Sequence, residues 1–295
     1  MHDRGRMSMT RKSVLFTHAA GFCAEVWRPV LAELSTLARR AGQPEPECRA
    51  IDLPGHGKAQ PPPPLPLMQW RSFEDAALSA AAELGGGSGA KVGVGHSLGG
   101  TSLVLAELAH PGTFDALLLF EPIIYPPWVP PGRREDNPLA AGAARRRNSF
   151  ASLDAAREYF VSKPLFARWD PRSLDAYMAG GLRAAEDGSL VLQCEREFEA
   201  DIYRSDVSGI WDRLPNIRCP VHVWCGGASR HLDAIGPGGS TTELYRQMAA
   251  KFGADGATFE PVDGLGHFGP LEDPARFASS VWTMVGSDVA PRSKL

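Results

Sequence analysis

Ser97 and His267 are the residues of this chain whose types and surroundings could do chemistry together. A serine hydroxyl is a poor nucleophile until a base takes its proton, so it needs an imidazole within reach. Ser97 stands in Gly95-His96-Ser97-Leu98-Gly99, after the run Val92-Gly93-Val94 and before apolar residues at helical spacing, Leu98, Leu105 and Leu108. G-x-S-x-G between strand and helix is a nucleophile elbow, whose glycines let the backbone turn sharply enough to present the serine oxygen. His267 lies in Asp263-Gly264-Leu265-Gly266-His267-Phe268, a glycine loop directly after the last strand pattern. The other histidines suit the role less. His2 lies in a basic start, His18 ends the first strand, His56 sits in a glycine turn and His96 points away from its neighbour. His110, His222 and His231 lack placement in a loop tip at a strand end. The chemistry indicated is attack of the Ser97 oxygen on an acyl carbonyl, with His267 moving the proton.

The surrounding elements must bring these two residues together. Val14 to Thr17, Cys48 to Leu53, the elbow strand, Phe114 to Glu121, Val221 to Trp224 and Ala257 to Val262 read as strands. Leu117 to Phe120 is continuously apolar, as expected of a strand covered on both faces. Helical spacing separates them over Glu25 to Arg40, Gln69 to Leu84, Leu98 onward, Thr241 to Phe252 and Pro274 to Val285. Pro61 to Pro64 form a stiff surface loop. Alternating strands and helices predict an α/β fold with a parallel sheet, whose strand-end loops converge on one crevice. Between about Pro122 and Ile210 the pattern changes to proline-punctuated helical segments rich in aromatics, an inserted unit.

Four motifs in order carry a resemblance: the strand leading to His18-Ala19-Ala20-Gly21, then Asp52-Leu53-Pro54-Gly55-His56-Gly57, the elbow, and Gly264-Leu265-Gly266-His267-Phe268. Together they resemble the α/β-hydrolase superfamily, from roughly Ser13 to Val285. The resemblance implies a core over residues 1–121 and 211–288, a helical cap over 122–210, and a Ser–acid–His triad. It also implies an oxyanion hole made by the backbone amides of Leu98 and Ala20. Two departures stand out. The first strand begins near residue 13, which leaves no room for the usual opening hairpin, so a trimmed, mostly parallel sheet of about six strands is expected. Ala19 replaces the glycine that usually follows the histidine of the first-strand loop.

The acid has three candidates. The family's usual place is the loop after the penultimate strand, but the expected site there holds Ser229, which cannot balance an imidazolium as a carboxylate does. Asp233 follows four residues later, and Asp263 is a third possibility. Glu121 is favoured: some relatives place their acid after the strand that follows the elbow, and a carboxylate ending a buried strand needs a partner. An aromatic-rich cap predicts an apolar pocket, with Phe22, Trp128, Trp169 and Phe268 as lining candidates.

The reading is therefore a serine hydrolase acting on an ester, lactone or thioester of a small hydrophobic acyl substrate, with no cofactor and no metal. A non-hydrolytic lyase and a slow-turnover ligand receptor on the same scaffold are the alternatives. A serine rather than an aspartate at the elbow argues against dehalogenase and epoxide-hydrolase chemistry. An acyl-CoA substrate would call for a basic patch, and Arg145-Arg146-Arg147, most simply a solvated face, is the obvious one. A charged fraction of 22% and a net charge of −3 give no electrostatic draw to nucleic acid or anionic membranes. No apolar run reaches the length of a membrane span. The five cysteines are scattered, without metal-site or redox spacing, and read as free thiols. Ser293-Lys294-Leu295 matches a peroxisomal address read by an import receptor, on a tail, 289–295, expected to be exposed. The expected location is the peroxisome matrix, with the cytoplasm as the alternative.

Overall fold

A computed structural model describes residues 12–60, 66–84, 89–129, 137–205, 209–233, 235–253 and 257–286. The proline loop at 61–64 and the tail at 289–295 lie outside the described residues.

The strands form where short apolar runs end in turn residues. Strand β1 (Ser13–Thr17) and helix α1 (Arg28–Ala41) lead to β2 (Glu47–Ile51) and α2 (Pro66–Glu83). Strand β3 (Lys91–His96), helix α3 (Leu98–Ala109) and β4 (Ala116–Phe120) follow. All five residues of β1 and of β4 are buried, so helices cover both faces of the sheet, as their unbroken apolar runs require. Pro29 opens α1, where its missing N–H costs nothing, and Gly42 closes it in the left-handed region at φ 60°.

The chain then leaves the sheet for α4 (Pro138–Arg145), β5 (Ser149–Phe150), α5 (Leu153–Val161), α6 (Pro171–Gly181), β6 (Leu182–Ala184), β7 (Leu190–Leu192), α7 (Arg196–Arg204) and α8 (Ile210–Arg213). It returns through β8 (Val221–Gly226), α9 (Thr241–Lys251), β9 (Ala257–Val262), α10 (Gly269–Glu272) and α11 (Pro274–Gly286). The segment between β4 and β8 is not wholly helical, in contrast to the expectation. It also holds a three-stranded antiparallel sheet in the order β5-β7-β6. Strands of two or three residues are too short to show an alternating pattern.

The main sheet has six strands in the order β2-β1-β3-β4-β8-β9, and every ladder is parallel. From β1 the chain steps to β2 on one side and to β3 on the other. That reversal opens a crevice outside the carboxyl ends of β1 and β3. The first-strand loop and the elbow both fall there.

Tertiary contacts tie the insertion to the core. Trp70 Nε1 donates to Ser205 Oγ at 2.8 Å, and the Asp170 amide to the Leu271 carbonyl at 2.9 Å. Arg168 reaches the Gly264 carbonyl and lies 2.8 Å from a Glu272 oxygen. Arg145 and Arg147 of the arginine run are exposed, as a solvated face requires, and Arg146 departs from it. Arg146 turns inward to pair with the buried Glu199 carboxylate at 2.6 Å, while Arg147 stacks over Phe150 and Tyr159. Among the described residues, no helix is long and apolar enough to cross a membrane. None of the five cysteines is paired in a disulfide with another.

Candidate active site

Ser97 occupies the corner between β3 and α3 with φ 54° and ψ −117°, a conformation that a non-glycine residue adopts only under constraint. The constraint is visible around it. The Ser97 amide donates to the Phe120 carbonyl at 2.9 Å, and its carbonyl accepts from the Thr101 amide at 3.1 Å. A Cβ at Gly95 would lie 2.6 Å from backbone atoms of Gly100, and one at Gly99 would lie 2.3 Å from the Thr17 carbonyl oxygen. Glycine at both places lets the start of α3 close against β1 and β3.

Sheet order then sets the neighbours of the serine. Strand β4 pairs with β3, with His96 opposite Phe120, so Glu121 emerges one strand away from Ser97. Glu121 is fully buried and sits at φ 47°, the only described non-glycine residue besides Ser97 in that region. Its carboxylate is surrounded by donors. The Gly226 amide donates to Oε1 at 2.7 Å, and the Ser229 hydroxyl to Oε2 at 3.0 Å. His267 Nδ1 lies 2.5 Å from Oε2 and His231 Nδ1 lies 3.2 Å from it. An isolated buried carboxylate is costly, and these contacts use both oxygens.

His267 comes from beyond β9, two strands from β4, so its loop must cross the end of β8. Gly226 makes the crossing possible: a Cβ there would lie 2.4 Å from the carbonyl oxygens of both Leu265 and Gly266. The loop is fastened by the Ala228 amide donating to the Leu265 carbonyl at 2.9 Å, and by His96 Nε2 donating to the His267 carbonyl at 2.8 Å. The Gly266 amide donates to Glu272 at 3.0 Å. His267 therefore has one ring nitrogen committed to Glu121, and the residue also lines the cavity beside Ser97.

That cavity, of about 170 Å³, is lined by Ser97, His231 and His267 together with Ala19, Ala20, Phe22 and Phe268. Ile123, Ile124, Leu139, Leu165 and Leu232 complete an apolar wall, joined by Tyr125 and Tyr203. Among the described residues, no lysine or arginine lines it. The Leu98 amide opens α3, one of the four that a helix leaves without an internal acceptor. Among the described residues, neither it nor the Ala20 amide donates to a protein acceptor.

The first-strand loop is held by two buried imidazoles that exchange contacts with the loop after β2. His18 Nε2 accepts from the Leu53 amide at 3.0 Å, and His56 Nε2 accepts from the Gly21 amide at 3.0 Å. Their Nδ1 atoms face the carbonyls of Ala19 and Pro54. Burial holds both imidazoles below the usual histidine pKa, as it does His96 and His231.

Several expected site residues lie elsewhere. Asp233 does not reach His267; its Oδ1 accepts from the Thr241 amide at 2.8 Å and hydroxyl at 2.7 Å. Asp263 is exposed, and its carbonyl accepts from Arg276. Of the aromatic candidates, Phe22 and Phe268 line the cavity. Trp169 stands behind them, packed on Phe22 at 5.2 Å and Phe268 at 5.7 Å, so those rings screen it. Trp128 is half exposed, donates to the Ile235 carbonyl and packs on Trp211. His231, set aside on its sequence position, packs against His267 with ring centroids 3.9 Å apart and the planes tilted by 35°. Its nearness to Ser229, in the loop that usually carries the acid, was the available signal.

A family model described as the alpha/beta hydrolase family matches residues 14–280. The "Abhydrolase domain-containing protein ACTT2-1" of Alternaria alternata is 23% identical over 226 residues, 67% of this chain and 83% of its own length. The peroxisomal alpha-beta-hydrolase Lpx1 of Saccharomyces cerevisiae superposes with a TM-score of 0.75 at 15% identity, covering 97% of this chain and 80% of its own. E-2-(acetamidomethylene)succinate hydrolase superposes with a TM-score of 0.72 at 18% identity, covering 94% of each chain. With the family pattern extending from β1 into α11, the chain belongs to the alpha/beta hydrolase family.

Proposed function

We propose that the protein is a serine hydrolase that cleaves an ester, lactone or thioester of a small, uncharged, hydrophobic acyl group. The observation that carries this reading is the 2.5 Å contact of His267 with buried Glu121, on the wall of the cavity that also holds Ser97. Ser97 attacks the carbonyl carbon as its proton passes to His267. The negative charge on the carbonyl oxygen is met by the Ala20 and Leu98 amides, and one such donor contributes roughly 3 kcal/mol. Glu121 orients the imidazole and balances its charge. The leaving alcohol or thiol takes the proton from His267, and water then repeats the sequence on the acyl-enzyme.

The apolar wall supports a hydrophobic acyl group, and the lack of a cation among the described lining residues favours a neutral one. Arg146 is committed to Glu199, which weakens the case for an acyl-CoA phosphate patch. An apolar cavity of about 150 Å³ takes up benzene, so one of about 170 Å³ suits an acyl part of roughly six carbons. A peroxisomal setting, through Ser293-Lys294-Leu295 and an import receptor, is part of the proposal; the tripeptide supports it.

p-Nitrophenyl esters of graded length test the reading. Steady turnover is expected, with kcat/KM highest near hexanoate and lost in Ser97→Ala with the melting temperature unchanged. Full activity in Ser97→Ala would end the proposal. A single turnover without recycling would identify a ligand receptor instead.

A further inference from the structure

The triad carboxylate has more nitrogen around it than a hydrolase needs. Glu121, His231 and His267 each offer one ligand atom, and the three atoms lie within 4.8 Å of one another. We propose that these three residues form an inhibitory site for a divalent transition-metal ion of the zinc type. The donor set, two imidazole nitrogens and one carboxylate oxygen, suits Zn²⁺, Co²⁺, Ni²⁺ or Cu²⁺ and not the oxygen-seeking Mg²⁺ or Ca²⁺.

The two distances to Glu121 are shorter than the one that a metal needs, and the whole cluster spans no more than 4.8 Å. Ligands about 2.0–2.1 Å from a tetrahedral ion are about 3.4 Å from one another. His231 Nδ1 and Glu121 Oε2 are already 3.2 Å apart. The His267 contact, at 2.5 Å, must open by roughly an ångström, a change within the reach of side-chain rotation. Ser229 Oγ lies 2.9 Å from His231 Nδ1 and 3.0 Å from Glu121 Oε2, so it or a water molecule takes the fourth position. Both imidazoles line the cavity, which provides the way in.

Inhibition follows from where the proton goes. A neutral imidazole carries one proton. When the metal takes the Nδ1 lone pair of His267, that proton moves through solvent to Nε2, with no net loss. His267 then presents an N–H where the mechanism needs a lone pair, and Ser97 has no base. Binding of the metal rests on the cluster alone, whereas inhibition rests on the hydrolase reading above.

The test uses the full chain after chelator treatment. Titration with Co²⁺ should produce the intense visible bands of a four-coordinate ion, which Zn²⁺ displaces and Mg²⁺ does not. His231→Gln and Glu121→Gln should each weaken Co²⁺ binding tenfold or more, and Asp233→Asn should not. Zn²⁺ should abolish ester turnover, and EDTA should restore it. If either variant fails to fold, the wild-type cobalt spectrum decides. A wild-type chain without that spectrum, folded variants with wild-type affinity, or turnover unaffected by bound Zn²⁺ would each overturn the proposal. Metal binding by a chain that cleaves no ester would sink the hydrolase reading and the inhibition, and leave the metal site standing.

Discussion

Glu121 follows a strand of five buried residues, and of the three candidate acids it is the one whose carboxylate touches His267. A glutamine there keeps the shape but turns an amide toward the Nδ1 proton, disfavouring the tautomer that the mechanism uses. Glu121→Gln should lower kcat about 10³-fold or more, while Asp233→Asn should stay near wild type, since Asp233 faces Thr241. Steady-state kinetics on the two variants checks this. The buried imidazoles also make a prediction about acid. For His18, His56, His96 and His231, burial lowers the pKa from its ordinary 6.5. As pH falls below about 6.5, the unfolded chain binds protons that the folded chain refuses. Their contribution is complete above that pH and drains below it, by up to about 1.4 kcal/mol per pH unit for each. The melting temperature should be flat from pH 8 to 7 and fall steadily toward pH 5.5; a flat profile throughout contradicts the account. At this scale the placing of Ser97 and His267 on one cavity was legible, because each sits in a motif whose glycines have a local reason. His231 was not, because its position depends on how the loop after β8 folds back over Glu121.

The elements place these residues through backbone contacts that glycine permits. Gly226 both donates its amide to Glu121 and leaves room for the His267 loop to cross β8. Gly226→Ala should push that loop outward while the sheet stays intact. A displacement of an ångström between reacting groups costs roughly 100-fold, so kcat should fall by about that factor with far-UV circular dichroism unchanged. Wild-type kcat in this variant would show that the crossing is not what holds His267. The strands and helices of the core were legible because unbroken apolar runs, glycine stops and helical spacing all agree there. The short strands β5 to β7 were not, since two or three residues leave no period to read. The inward turn of Arg146 was hidden in the same way, because its partner Glu199 lies 53 positions away.

At the scale of the whole molecule, the site exists because one chain reversal and one long insertion meet. Sheet order brings the loops after β1, β3, β4, β8 and β9 to one edge, and the insertion supplies Leu139, Leu165 and Tyr203 to the wall above it. Glu199 presses against the first-strand loop so closely that a Cβ at Gly21 would lie 2.5 Å from its carboxylate. The six parallel strands follow from the sequence pattern; their order is a property of the fold, and the details of the insertion depend on aromatic packing that no local signal records. The central claim is that this assembly makes Ser97 a nucleophile through His267. It is tested most directly by labelling with an alkyl fluorophosphonate and mapping the adduct by mass spectrometry. The account predicts one phosphonyl group per chain, on Ser97, formed at least 100-fold more slowly in His267→Ala. An adduct elsewhere, none at all, or equal rates in the two proteins would contradict it.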